Sequence, residues 1–127
     1  MQPEQITILI IDDDDFVRQT ISENMRDCGY IVHEATDGED GIRFIETRGC
    51  PHIVVTDIIM PKKEGLETIM EIRTRFPEVK LVAISGGGRT RIGDFLPMAE
   101  KMGANAVIPK PVNMIELEAT IAELAKR

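Results

Sequence analysis

The chain has 127 residues, 43% of them hydrophobic and 29% charged, which is the size and balance of one globular domain and not of a disordered or fibrous chain. Fifteen Lys and Arg against 22 Asp and Glu leave a net charge of −7. With four Phe, one Tyr and no Trp there is neither a basic stripe nor a set of stacking platforms, so direct nucleic-acid binding is not expected. No apolar run exceeds four residues and no secretory signal opens the chain, so membrane insertion is not expected and the location is read as cytoplasmic.

In chain order, residues 6–11 form a β-branched run that ends in Asp12-Asp13-Asp14-Asp15, and they read as the first strand. Val17, Ile21, Met25 and Cys28 fall on one face of a following helix, closed by Gly29, with Asp14 or Asp15 as its cap. Residues 30–35 are a second strand, and Thr36-Asp37-Gly38 turns into a helix carrying Ile42 and Ile45. Residues 52–56 are a third strand. Leu66, Ile69, Met70, Arg73 and Phe76 mark a helix that stops before Pro77. Residues 80–84 and 106–108 supply the fourth and fifth strands. Between them Gly86-Gly87-Gly88 opposes helix, and Asp94 as cap with Pro97 in the first turn predicts a helix over 95–102 that ends at Gly103. That leaves a connection of about ten residues after Ser85, longer than usual. Asn113 caps the last helix, which runs through Leu117, Ile121 and Leu124.

Strands alternating with helical patterns predict an α/β fold: a doubly wound, five-stranded parallel sheet in the order 2-1-3-4-5 with five helices on both faces. Ligands of such sheets bind beyond the carboxyl ends of the strands, and the reactive side chains of this sequence stand there: Asp12 to Asp15, Asp57, Ser85 and Lys110. Carboxylates brought together raise one another's pKa and call for a cation. Hard oxygen donors with room for water suit Mg²⁺. A carboxylate can also attack a phosphoryl group, and Lys110 and Ser85 supply a positive charge and a hydrogen bond for its oxygens. Cys28 and Cys50 are read as buried or neutral thiols of a reducing compartment, His33 and His52 as without chemistry, and the seven Met as packing residues.

The pieces Ile8-Leu9-Ile10-Ile11-Asp12-Asp13-Asp14 with Arg18, Asp37-Gly38, Val54-Val55-Thr56-Asp57 with Met60-Pro61 and Gly65, Ala83-Ile84-Ser85, and Gly103-Ala104 before Lys110-Pro111 occur in one order along nearly the whole chain. In this the sequence resembles the receiver domain of two-component response regulators. The resemblance implies a single receiver domain over residues 1–127 with no output domain in this chain, working as a phosphorylation-controlled switch and not as a turnover enzyme. It implies that Asp57 takes a phosphoryl group from a sensor histidine kinase or a histidine phosphotransfer protein. Asp13 and Asp57 would ligate Mg²⁺, Asp12 would help through water, and the Ile59 carbonyl would complete the protein ligands. Ser85 and Lys110 would read the phosphorylated state, the Lys110–Pro111 bond would be cis, and the expected helix 95–102, the fifth strand and the last helix would turn toward an unknown downstream protein.

Two departures alter that expectation. Receivers commonly carry an aromatic residue three positions before the Lys, where this chain has Val107, so output is expected to rest on residues 86–93. Ile59 is bulky where it would stand beside the phosphoryl group, which is expected to hinder water. Arg89 and Arg91 are read as exposed charges. Asp12-x-Asp14 after an apolar strand also resembles the first motif of haloacid-dehalogenase-type phosphatases, but Gly93-Asp94 precedes Lys110 in the wrong order and the chain lacks length for a cap domain. A receiver-like docking module without phosphoryl chemistry is the third reading. The start at Met1 and the complete last helix favour a free-standing protein.

Overall fold

Ile8, Leu9, Ile10 and Ile11 leave no polar position on either side of their strand, so that strand must be covered on both faces. The computed structural model, which describes residues 5–58, 64–85, 101 and 103–126, shows how. The elements are β1 (Thr7–Ile11), α1 (Asp15–Asp27), β2 (Ile31–Ala35), α2 (Gly38–Arg48), β3 (Ile53–Asp57), α3 (Glu64–Arg75), β4 (Lys80–Ser85), β5 (Ala106–Pro109) and α4 (Met114–Ala125). All strand pairs are parallel and the sheet order is β2-β1-β3-β4-β5. The expected helix 95–102, the connection 86–93, Arg89, Arg91, Ile59, Met60 and Pro61 lie outside the described residues.

Strand alternation divides the core into two layers. Leu9, Ile11, Val54, Leu81 and Ala83 face Ile42 and Ile45 of α2 and Ile69 and Ile72 of α3. Ile8, Ile10, Val55, Val82 and Ile84 face Ile21 and Met25 of α1 and Leu117, Ile121 and Leu124 of α4. The approach of α2 is close. A Cβ on Gly41 would run into Cδ1 of Ile11, so a larger residue there would force the buried Ile11 side chain to shift.

Several expectations need correction. The buried stripe of α1 is Arg18, Ile21, Ser22 and Met25, at the i, i+3, i+4, i+7 spacing, and Val17 lies at its margin. Cys28 falls at the C-cap, where Gly29 (φ +101°) turns the chain into β2, so its thiol is exposed; Cys50 is exposed as well. Neither is buried, although residual burial and nearby Glu118 and Glu78 push both thiols upward in pKa and keep them neutral. Met70 is half exposed on α3, because Ile69 and Ile72 already fill the stripe facing the sheet. His52 Nδ1 accepts a hydrogen bond from the Thr7 amide, a structural role.

His33, on β2, packs against the Phe44 ring with centroids 4.8 Å apart. Partial burial, then the charges of Arg48 and Arg26, hold its imidazole below the ordinary 6.5. A depressed imidazole contributes stability above the unfolded-chain value and loses it as pH falls, because the unfolded chain takes up a proton that the fold resists. Denaturant midpoints of the wild type therefore fall more steeply than those of His33→Gln from about pH 7 to about pH 5. Parallel curves would contradict this account.

Candidate functional site

At the carboxyl end of β1 the backbone makes one more sheet contact, Asp12 N–H donating to the Ala35 carbonyl at 3.2 Å, and then turns into α1. The turn is built from its own side chains. Asp12 Oδ1 accepts from the Asp14 amide at 2.8 Å, and Asp14 Oδ1 caps α1 by accepting from the Val17 amide at 3.1 Å. Arg18, one turn on, donates from Nη1 to the Asp12 carbonyl at 2.8 Å. The local result is a buried Asp12, 1% exposed, beside an exposed Asp13.

Asp57 is the last residue of β3, the neighbour of β1, and is itself 3% exposed. One carboxylate oxygen from each of Asp12, Asp13 and Asp57 lies within 4.8 Å of the others. For the buried pair Asp12 and Asp57, two full charges at that separation repel by about 3 kcal/mol at an effective dielectric near 20. Lys110, just beyond β5, answers part of that repulsion: its Nζ lies 2.9 Å from Asp57 Oδ2 and 3.5 Å from Asp12 Oδ2. The Lys110 amide donates to the Ser85 carbonyl at 2.9 Å, and the Lys110–Pro111 peptide bond is cis. Ser85 closes β4, next to β3, and is fully buried; neither its Oγ nor Asp12 Oδ2 has a hydrogen-bond partner among the described residues.

Burial pushes the Asp12 carboxyl up. The Asp14 amide and the Lys110 charge pull it down, Asp57 pushes it up again, and the net direction is upward. Burial pulls the Lys110 ammonium down, but its hydrogen bond to Asp57 and the charges of Asp57 and Asp12 together outweigh that, so it stays protonated. Three carboxylates against one ammonium leave an excess of negative charge on oxygen donors alone, with neither His nor Cys in the group. That donor set fits a hard divalent cation better than a soft one.

Asp12, Asp13, Asp57 and Lys110 are thus brought together, and Ser85 ends the strand between those of Asp57 and Lys110. Ile59 lies outside the described residues. Asp14, the second acid of the phosphatase alternative, is spent on capping α1. The groove between α2 and α3 holds paired charges, Arg75 with Glu46 at 2.7 Å and with Glu71 at 2.8 Å, and among the described residues it gathers no comparable acid group. Sequence reasoning missed Glu34 altogether and saw Arg18 only as a motif letter. The available signal was a charged residue on the apolar stripe of α1, which must be buried and therefore paired.

Fold and site together define a doubly wound α/β domain with an acidic, lysine-bearing cluster at the switch point between β1 and β3, where the sheet order reverses. Residues 8–122 match the response regulator receiver domain family. Over 122 residues the chain is 31% identical to the sensor kinase CckA of Brucella abortus, covering 95% of this chain and 13% of that protein. It is 29% identical to the response regulator MprA of Mycolicibacterium vanbaalenii, covering 96% of this chain and 51% of that one. A response regulator receiver domain protein from Clostridium thermocellum superimposes with a TM-score of 0.86 at 28% identity, covering 96% of this chain and 95% of the other. The chain therefore spans about half, or far less, of the length of these two sequence relatives. It belongs to the response regulator receiver domain family of two-component systems. No helix among the described residues is long and apolar enough to cross a membrane.

Proposed function

We propose that Asp57 is the phosphoacceptor and that a sensor histidine kinase or a histidine phosphotransfer protein is the donor. An Asp57 carboxylate oxygen attacks the phosphorus, the N–P bond of the phosphohistidine breaks with its electron pair returning to the imidazole, and an acyl phosphate forms. The observation that carries this reading is the Lys110 ammonium 2.9 Å from Asp57 Oδ2, at the place where, among the described residues, buried carboxylates of neighbouring strands meet. Lys110 offsets the charge on the transferred oxygens, and the buried Ser85 hydroxyl supplies a hydrogen bond to them. Asp13 and Asp57 would hold Mg²⁺ directly, Asp12 through water, with the Ile59 carbonyl as a further ligand. When bound, Mg²⁺ neutralises charge on the phosphoryl oxygens and the carboxylates.

A macromolecular donor agrees with the rim of the site. Phe16 and Ile115, 77% and 79% exposed, stand in the first turns of α1 and α4, the two helices that begin beside Asp12 and Lys110. The phosphorylated state then draws Ser85 and Lys110 inward and shifts the surface around β5 and α4 toward a state that binds a downstream protein, without direct nucleic-acid contact. Residues 1–127 act as one receiver unit in the cytoplasm, in keeping with the exposed free thiols of Cys28 and Cys50.

Beryllofluoride, a phosphoryl mimic, tests this reading without a cognate kinase. In the presence of Mg²⁺ it should bind one to one and shift the amide resonances of Asp57, Ser85 and Lys110. In Asp13→Asn the Mg²⁺ requirement should rise by about ten- to a hundredfold. Binding that is indifferent to Mg²⁺ and to Asp13 would overturn the site assignment.

A further inference from the structure

Arg18 is the one charged residue on the buried stripe of α1, with a side chain only 9% exposed. A guanidinium in such a place must have partners, and three distinct groups share it. Nη1 donates to the Asp12 carbonyl at 2.8 Å, Nε to Glu34 Oε1 at 3.0 Å, and Nη2 to Asp15 Oδ1 at 2.7 Å. Glu34, on β2, is held in turn by Arg26 Nη2 at 3.5 Å. One planar head group thereby ties the end of β1 to the next strand and to the first turn of α1, the planar fork that lysine lacks.

The consequence appears at Asp12. Its amide is engaged by Ala35, its carbonyl by Arg18 and its Oδ1 by the Asp14 amide. Among the described residues Oδ2 is left without a hydrogen bond, buried and 3.5 Å from Lys110 Nζ, and Asp12 belongs to the carboxylate group shared with Asp13 and Asp57. We propose that Arg18 is a positioning residue of the phosphoacceptor site, fixing the Asp12 carbonyl so that Oδ2 points into the site and the Asp12–Asp13 peptide presents both acids to one cation. This rests on the reading of the site given above. Arg18 touches neither cation nor phosphoryl group and acts through Asp12.

Arg18→Gln, Arg18→Lys and Arg73→Gln, in the full chain, separate positioning from general stability. Arg73 donates to the carbonyls of Gly103 and Pro77 at the amino end of the sheet, so its loss costs stability away from the site. Mg²⁺ titration by calorimetry should show Arg18→Gln binding at least about tenfold more weakly than wild type, Arg18→Lys falling between, and Arg73→Gln unchanged. Without Mg²⁺, the amide resonances of residues 12–14 should move in Arg18→Gln and not in Arg73→Gln. Should Arg18→Gln fail to fold, Arg18→Lys carries the same comparison. Wild-type affinity and unmoved resonances in the folded Arg18 variant, or an equal loss in Arg73→Gln, would overturn the inference. If wild-type protein and Asp13→Asn bind Mg²⁺ alike, the cation reading fails instead, and the metal-free resonances still decide the role of Arg18.

Discussion

Asp57→Asn should leave a folded protein that takes up no acid-labile phosphate from acetyl phosphate and Mg²⁺, a loss of at least about a thousandfold in labelling rate. The substitution keeps the shape of the side chain and an oxygen able to accept from Lys110, so the packing at the end of β3 is preserved. What it removes is the nucleophile: an amide oxygen carries too little charge to attack phosphorus, and the acyl phosphate cannot form. Asp12 and Asp13 stand close by and could in principle take over. Asp12, however, has Oδ1 committed to the Asp14 amide and a carboxyl pushed upward by burial, and Asp13 is exposed and away from Lys110's shortest contact. Labelling at the wild-type rate in Asp57→Asn would show that one of them is the true acceptor.

Lys110→Ala should separate acceptance from response. The ammonium reaches Asp57 Oδ2 at 2.9 Å and Asp12 Oδ2 at 3.5 Å, and its own backbone is tied to β4 through the Ser85 carbonyl. Removing the charge deletes one counter-ion for the transferred oxygens, so labelling should slow by about a hundredfold and still go to completion. Mg²⁺ affinity should not fall, because a cation that competes for the same carboxylate oxygens is gone. The larger effect lies downstream. Beryllofluoride should still bind with Mg²⁺, yet the amide shifts it produces in β5 and α4 of the wild type should be lost. Wild-type shifts throughout β5 and α4 of Lys110→Ala would contradict a sensing role for this residue.

The sheet could be read from the residues because parallel strands covered on both faces must be continuous apolar runs, and Ile8 to Ile11, Ile53 to Val55 and Leu81 to Ile84 are such runs. Right-handed crossovers left few orders, of which 2-1-3-4-5 was the leading one, and the convergence of Asp12, Asp57, Ser85 and Lys110 followed from that order, since each ends or follows a neighbouring strand. Helix faces were less certain. The apolar period places Arg18 on the buried stripe but cannot name its partners, because Glu34 lies 16 residues away on β2 and the main-chain carbonyl carries no sequence signature. Cys28 fitted the period of α1 and still lies exposed, because the helix ends at that residue and Gly29 turns the chain into β2. Geometry around Ile59 and along residues 86–93 falls outside the described residues, so the expectations placed on them stand as sequence expectations.

On the proposed function one side chain, at position 57, becomes a mixed anhydride. An aspartyl phosphate is reduced by borohydride to homoserine, which leaves a permanent record of where the phosphoryl group stood. After brief labelling with acetyl phosphate and Mg²⁺, reduction and peptide mass spectrometry should find homoserine at position 57 and at no other aspartate. Homoserine at position 12 or 13, or none at all in protein that has bound phosphate, would contradict the account.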